Sequence, residues 1–193
     1  HPRLRFAHAD TDDMARKLAE LPPGARPLVM TDGVFASTGE VAPLDRYVER
    51  LDQFAAHGGA AATLLVDDAH GAGCVGPDGR GVLDQFALLE RANQPAQPGR
   101  SALLWCTTAS KALGGHGGLI VGSRSVLSAL RKTSWFAGTS APASAAAAST
   151  AAAIGKAHRL PELRRHLAER IQQLQDGLES VGLAPPTANP ASW

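Results

Sequence analysis

One lysine stands alone among uncharged residues in the middle of the chain. Between Arg100 and Arg124, Lys111 is the only formally charged side chain, within the segment CTTASKALGGHGGLIVG. Such a lysine is either a solvated loop residue or an amine kept neutral, because removing nearby charges and water disfavours the ammonium form. A neutral amine can attack a carbonyl carbon and form an imine. Lys111 is therefore a candidate catalytic residue.

Two acids and a histidine follow an apolar run upstream, in LLVDDAHGAG, as Asp67, Asp68 and His70. Taken alone, these residues leave three interpretations open. The acids can simply cap a turn at a strand end, with His70 an ordinary loop histidine. The run also resembles the Mg²⁺-binding strand of P-loop ATPases, although the sequence contains no GxxxxGK(S/T) loop. A metal site would have only Asp67 and His70 as a partial ligand set, and we predict none.

A fourth interpretation joins the two segments. Pyridoxal phosphate requires a carboxylate at its ring nitrogen, a histidine beside its phenol oxygen and a lysine that forms an imine. The hydroxyls of Thr107, Thr108 and Ser110, with the backbone N–H groups of a glycine-rich turn, can hold a phosphate. We therefore predict pyridoxal 5'-phosphate as the cofactor, with its Schiff base on Lys111.

The surrounding elements predict a parallel α/β fold. The apolar runs PLVM, TLLV, ALLWC and GLIVG indicate four strands, and PLDRYVERLDQFAAHGG has helical periodicity. Strand, helix, strand is typical of a parallel sheet, whereas GLIVG follows ALLWC too closely for a crossover and should be antiparallel to it. Parallel sheets bind ligands at the carboxyl ends of their strands. We therefore expect the polar side chains that follow the strands to lie on one rim, with Lys111 immediately beyond: Asp32, Asp67, Asp68, His70, Thr107 and Thr108.

The C-terminal third is predicted to be helical. The alanine-rich segment SAPASAAAASTAAAIGKAH should be buried on several sides. The helix after it carries an apolar stripe at spacings of three and four residues, formed by Leu160, Leu163, Leu167, Ile171, Leu174, Leu178 and Val181.

Composition narrows the function classes. The 193 residues are 44% hydrophobic and 19% charged with a net charge of +1, which indicates a globular chain and does not favour a nucleic-acid partner. The longest uncharged run is too rich in alanine and serine for a membrane span. Cys74 and Cys106 do not suggest a disulfide framework, so we expect a cytoplasmic protein. The chain begins at His1 and stops in APPTANPASW, and we expect a fragment of a longer protein.

Four segments resemble α-oxoamine synthases, fold-type I enzymes that use pyridoxal phosphate. They are TDGVFASTGEVAPLDRYV, LLVDDAHGAGCVGPDGRG, TTASKALGGHGG and GTSAPAS, and they occur here in the family's order. The resemblance implies the large domain of an aspartate aminotransferase-like transferase, an α/β domain whose mostly parallel sheet is flanked by helices. It also implies that the domain is incomplete, with residues 1–180 in the large domain and 181–193 beginning a truncated small domain.

The resemblance also implies roles for individual residues. Lys111 would hold the cofactor and move the proton at the α-carbon of the amino acid. Asp67 would pair with the pyridinium nitrogen, His70 would hydrogen-bond the phenolic oxygen, and Thr108 would bind the phosphate. Thr139, in GTSAPAS, would reach the phosphate of the partner subunit's cofactor, which implies a homodimer with shared active sites.

One position departs from the family pattern. The serine that usually follows GVF and helps to bind the cofactor is Ala36 here. Ser37 or Thr38, directly after it, would have to supply the hydroxyl, and we take Ser37 as the candidate.

Within the family, DDAHGAG looks most like the branch that condenses L-alanine with a pimeloyl thioester, bound to coenzyme A or a carrier protein, to make a biotin precursor. The substrates would be small molecules, and neither nucleic acid nor membrane would be a partner. The glycine C-acetyltransferase, aminolevulinate synthase and serine palmitoyltransferase types are alternatives. A second kind of alternative is an inactive, truncated relative that acts as a non-catalytic module.

Overall fold

The computed structural model describes residues 3–94, 97–138 and 141–183. Its elements are, in chain order, α1 (Thr11–Ala19), β1 (Leu28–Asp32), α2 (Leu44–Ala56), β2 (Thr63–Asp67), α3 (Val82–Gln85), α4 (Leu89–Asn93), β3 (Ala102–Thr108), β4 (Gly118–Gly122), α5 (Arg124–Arg131), α6 (Ser134–Ala137), α7 (Ser144–Arg159) and α8 (Glu162–Ser180). All four predicted strands are present, whereas the short helices α3 to α6 were not predicted.

The four strands form one sheet in the order β1-β2-β3-β4. β1, β2 and β3 are parallel, and β4 runs antiparallel to β3. The antiparallel prediction for GLIVG is therefore confirmed. The register places Asp32, Asp67 and Cys106 side by side at the carboxyl ends of the three parallel strands.

The sequence explains where helix α1 begins and where helix α2 ends. The Asp10 side chain caps α1, because its Oδ1 accepts hydrogen bonds from the N–H groups of Asp12 at 2.9 Å and Asp13 at 2.8 Å. The predicted helix appears as α2, which buries Leu44, Tyr47, Val48, Leu51 and Ala55 on one face. It ends at His57, followed by Gly58 at a φ of 90°.

The core lies on one face of the sheet. Val29, Leu64, Val66 and Leu103 point into it from the strands and pack against the buried side chains of α1 and α2. On the opposite face Leu28 and Met30 are 55% and 63% exposed. The structure confirms a mostly parallel sheet packed against helices, in an incomplete domain.

The C-terminal helices differ from the sequence prediction in their burial. Helix α7 forms, but Thr150 is its one buried residue, so the expectation that it is buried on several sides is wrong. In α8 the apolar stripe buries Ile171, whereas Leu163, Leu167 and Leu174 are each more than 40% exposed. Periodicity indicates which side of a helix is apolar, and the described residues do not cover that side. The predicted domain boundary after residue 180 coincides with the end of α8 and stays a prediction.

Candidate active site

The Asp67 carboxylate lies at the carboxyl end of β2, where it is exposed. Asp32 of β1 and Cys106 of β3 lie on either side of it. Its Oδ1 accepts a hydrogen bond from the Ala69 N–H at 3.1 Å, within the turn that leads to His70. The carboxylate is therefore placed at the edge where parallel sheets bind ligands.

Lys111 and His70 meet across neighbouring turns. His70 follows β2, Lys111 follows β3, and a hydrogen bond of 2.6 Å joins Lys111 Nζ to His70 Nε2. The fold thus brings an amine against an imidazole 41 positions away in the sequence. Both side chains are exposed, so the expectation that Lys111 is desolvated is wrong for this chain. The turn after β3 projects from the sheet edge towards solvent, because its residues 110–112 are exposed as well.

The hydroxyls predicted to hold a phosphate have two different environments. Thr107 is buried, and its Oγ1 donates to the carbonyl oxygen of Asp68 at 3.0 Å, which makes it structural. The Thr108 and Ser110 hydroxyls lie 2.7 Å apart at the surface. Thr108 Oγ1 also accepts from the Ser110 N–H at 3.2 Å. Ser110 directly precedes Lys111, Thr108 lies three residues before it, and the phosphate role of Thr108 stays a prediction.

Ala36, Ser37 and Thr38 form an exposed turn after β1. The Thr38 hydroxyl is engaged by Glu40, since it accepts from the Glu40 N–H and donates to the Glu40 carboxylate, both at 3.3 Å. This arrangement favours Ser37 as the hydroxyl that could contact a ligand. Thr139 lies outside the described residues, so its role towards a partner subunit stays a prediction.

Two cavities separate the predicted site residues. One, of about 570 Å³, is lined by Asp67 together with Asp32, Phe35 and Cys106. The other, of about 500 Å³, is lined by His70 and Lys111 and bounded by α8. The predicted single rim is therefore divided: the carboxylate opens on the exposed face of β2, whereas the turns carrying the histidine and the lysine face α8.

The prediction that Asp68 lies on the ligand-binding rim is wrong, because its side chain turns into the core. This side chain is 0% exposed, and its Oδ2 accepts hydrogen bonds from Trp105 Nε1 and the Val82 N–H, each at 2.9 Å. Burial raises the pKa of Asp68 to about 6, against the lowering effect of these two bonds. The signal was present in the alternation of β2, because Leu64, Val66 and Asp68 share the core-facing parity.

The two cysteines are free thiols beside the site. Burial raises the pKa of the Cys74 thiol, and the nearby Asp68 carboxylate adds to the shift. Burial likewise raises the pKa of Cys106, with smaller contributions from Asp67 and Asp68. Because the thiolate is the reactive form, neither cysteine is favoured as a nucleophile, and Lys111 and His70 remain the candidate reactive groups.

None of the helices in the described ranges is both long and apolar enough to cross a membrane.

Comparison with known proteins supports the predicted family. The chain is 36% identical over 187 residues to the 8-amino-7-oxononanoate synthase of Geobacter sulfurreducens, covering 93% of this chain and 42% of that protein. Its structure resembles the serine palmitoyltransferase of Sphingomonas wittichii with a TM-score of 0.82 and 28% identity, over 98% of this chain and 44% of that one. A further serine palmitoyltransferase structure, which contains pyridoxal phosphate, gives a TM-score of 0.81 at 28% identity, over 98% of this chain and 44% of that one.

The chain therefore spans less than half the length of these relatives. The relatives confirm the resemblance to α-oxoamine synthases and the pyridoxal-phosphate chemistry of the family, and they decide against the ATPase alternative. Residues 3–191 match the family model for aminotransferase class I and II. With nearly its whole length inside that model, the chain belongs to the aminotransferase class I and II family, as the order of its motifs predicted.

Proposed function

We propose that this chain carries the catalytic lysine of a pyridoxal-phosphate-dependent acyltransferase. The reaction is the condensation of L-alanine with a pimeloyl thioester to 8-amino-7-oxononanoate, a step of biotin synthesis. The observation that carries the proposal is the hydrogen bond of 2.6 Å between Lys111 and His70, in a chain whose curated relatives include a synthase of that name.

The chemistry of these side chains fits this cofactor, although Asp67 lines a different cavity from His70 and Lys111. Pyridoxal phosphate needs an amine, a partner for its phenol oxygen, an acid for its ring nitrogen and donors for its phosphate. The amine and the imidazole are in contact, Asp67 is exposed at a strand end, and Thr108 presents a surface hydroxyl. We propose that these four residues and Ser37 hold the cofactor.

When bound, pyridoxal phosphate supplies an electron-deficient ring that stabilises negative charge at the α-carbon of an amino acid. The Lys111 amine takes and returns the proton at that carbon, because the catalytic lysine of the family corresponds to this position and the side chain is exposed to a ligand. His70 orients the lysine nitrogen through their hydrogen bond. The negative charge of Asp67 favours a proton on the ring nitrogen.

The proposed reaction balances without an oxidant. One bond forms, between the α-carbon of alanine and the acyl carbon. The carbon–sulfur bond of the thioester breaks, and the departing thiolate takes a proton from water. The bond between the α-carbon and its carboxylate also breaks and releases carbon dioxide, and Lys111 returns a proton to the α-carbon. A serine donor is the second candidate, because the solved structures similar to this chain include a serine palmitoyltransferase with a TM-score of 0.82.

We include a homodimer with shared active sites, a cytoplasmic location and the domain division at residue 180 in this proposal. Thr139 is the residue that would reach the partner subunit's cofactor.

Visible absorbance of the chain titrated with pyridoxal phosphate tests the proposal. We expect a band that is lost in Lys111→Ala and kept in Lys132→Ala, a control at an exposed lysine on another element. Addition of L-alanine should change the band more than glycine or serine does. A wild-type chain without a Lys111-dependent band would contradict the proposal and favour the non-catalytic module.

A further inference from the structure

Asp68 is a buried acid that the proposed reaction does not use. Its carboxylate joins two elements, because Oδ2 accepts from Trp105 Nε1 in β3 and from the N–H of Val82 at the start of α3, each at 2.9 Å. Its backbone is tied as well. The Asp68 N–H donates to the Cys106 carbonyl at 2.8 Å, and the Asp68 carbonyl accepts from Thr107 Oγ1 at 3.0 Å. Four hydrogen bonds thus join the end of β2 to β3 and α3.

The space around this carboxylate is closed by glycines from three places in the chain. A Cβ at Gly71 or at Gly81 would overlap the Asp68 carboxylate, and one at Gly33 would lie 2.8 Å from Oδ1. Gly81 also adopts a φ of 91°, which side chains rarely tolerate. Because the surrounding atoms pack closely against it, the Asp68 side chain can adopt only one position.

Residues 71–81 form a loop that begins beside His70 and returns to Asp68. The loop closes on itself through the Gly73 N–H to the Gly79 carbonyl and the Gly81 N–H to the Val75 carbonyl, both at 2.9 Å. At its start, the Gly71 N–H donates to the Asp68 carbonyl at 3.2 Å. At its end, the following residue, Val82, donates to the Asp68 carboxylate. Both ends of the loop are therefore attached to Asp68.

We propose that Asp68 is a positioning residue: its carboxylate holds the end of loop 71–81 beneath Trp105, its backbone carbonyl holds the start of the loop, and together they keep His70 against Lys111. Burying a carboxylate is costly unless it is hydrogen-bonded. Here Oδ2 accepts from the Val82 N–H and Trp105 Nε1, whereas Oδ1 is buried without a partner among the described residues. The effect on cofactor binding rests on the proposed function, whereas the effect on the His70–Lys111 contact does not.

The test compares Asp68→Ala with Asp68→Asn, which keeps an acceptor oxygen of the same shape. Asp84→Ala is the matched control, because Asp84 Oδ2 accepts from the Asp78 N–H at 2.9 Å on the far side of the same loop and its side chain is 8% exposed. The readouts are the nitrogen NMR signals of the His70 imidazole in the cofactor-free chain, the dissociation constant for pyridoxal phosphate, and urea unfolding.

We expect Asp68→Ala to shift the His70 signals and to weaken pyridoxal-phosphate binding about tenfold or more, as losses of supporting contacts do at other sites. Asp68→Asn should restore most of both, and Asp84→Ala should leave both near the wild-type values at a comparable loss of stability. Unchanged His70 signals in Asp68→Ala, or equal shifts in Asp84→Ala, would overturn the proposal.

The role of Asp68 can still be tested if the variant does not fold or if the wild-type chain does not bind the cofactor. If Asp68→Ala does not fold, Trp105→Phe removes one donor and leaves Asp68 in place; the His70 signals should then shift in the same direction, and their constancy would refute the inference. If the wild-type chain does not bind pyridoxal phosphate, the proposed function fails, while the His70 signals of the cofactor-free variants still decide the role of Asp68.

Discussion

The buried Asp68 carboxyl should make the stability of this chain fall as the pH rises. Burial raises its pKa from the ordinary value of 3.8 to about 6. The folded chain therefore binds the Asp68 proton more tightly than the unfolded chain does, between these two pH values. The stabilising contribution is complete below pH 3.8 and is lost as the pH passes through about 6.

The magnitude follows from the two pKa values. At about 1.36 kcal/mol for each pH unit, the full loss is about 3 kcal/mol. Between pH 4 and pH 7 the loss is about 2 kcal/mol, because part of the change occurs below pH 4. This is a large fraction of the free energy of unfolding of a typical domain.

Urea unfolding of the wild type and of Asp68→Asn at several pH values isolates the contribution. The other titrating groups are shared by the two chains, so they cancel in the difference between the free energies of unfolding. We expect the wild type to lose about 2 kcal/mol relative to the variant between pH 4 and pH 7. Parallel curves over this range would refute the argument that Asp68 is desolvated.

Two other contacts should each contribute measurably to the free energy of unfolding. Arg91 donates to both carboxylate oxygens of Asp52, at 2.8 and 2.6 Å. Burial raises the pKa of Asp52, but the hydrogen bonds from Arg91 and Ser101 outweigh it and lower the pKa. Urea unfolding at pH 7 should show that Asp52→Asn costs about 2 kcal/mol and the exposed control Asp45→Asn almost nothing. The cost should shrink as the pH falls through the lowered pKa, and an equal cost at low pH would contradict the ionic argument. Thr150 Oγ1 accepts from the His116 N–H at 2.8 Å and donates to the His116 carbonyl at 3.0 Å, which ties α7 to the segment between Lys111 and β4. Thr150→Val should cost about 1–2 kcal/mol and speed hydrogen exchange at His116, and an unchanged exchange rate would count against this tie.

Much of the fold was predictable because it depends on local patterns. The strands β1 to β4 follow short apolar runs, and α2 follows a periodic run that ends at His57 and a glycine. The rim argument also selected Asp67, His70 and Lys111, two of which prove to be in contact. The division of these residues between two cavities was not predictable, because it depends on the side from which α8 approaches.

Burial was the less predictable property. Helices α7 and α8 form where expected, yet most of their apolar residues are exposed, since helical periodicity does not specify what covers a helix. Asp68 shows the opposite error. Its position in the alternation of β2 indicated burial, but its donor Trp105 is 37 positions away and becomes its neighbour only through the pairing of β2 with β3.

The sequence by itself determined the family, the cofactor class and the residues that could react, because motif order and residue chemistry are properties of the chain alone. Only the tertiary structure decided that His70 contacts Lys111, that Asp67 faces another cavity, and that Trp105 and Val82 donate to the Asp68 carboxylate. These outcomes depend on strand register and on which distant segments close over each side chain. Such contacts between segments form only when the whole domain packs, so no local pattern contains them.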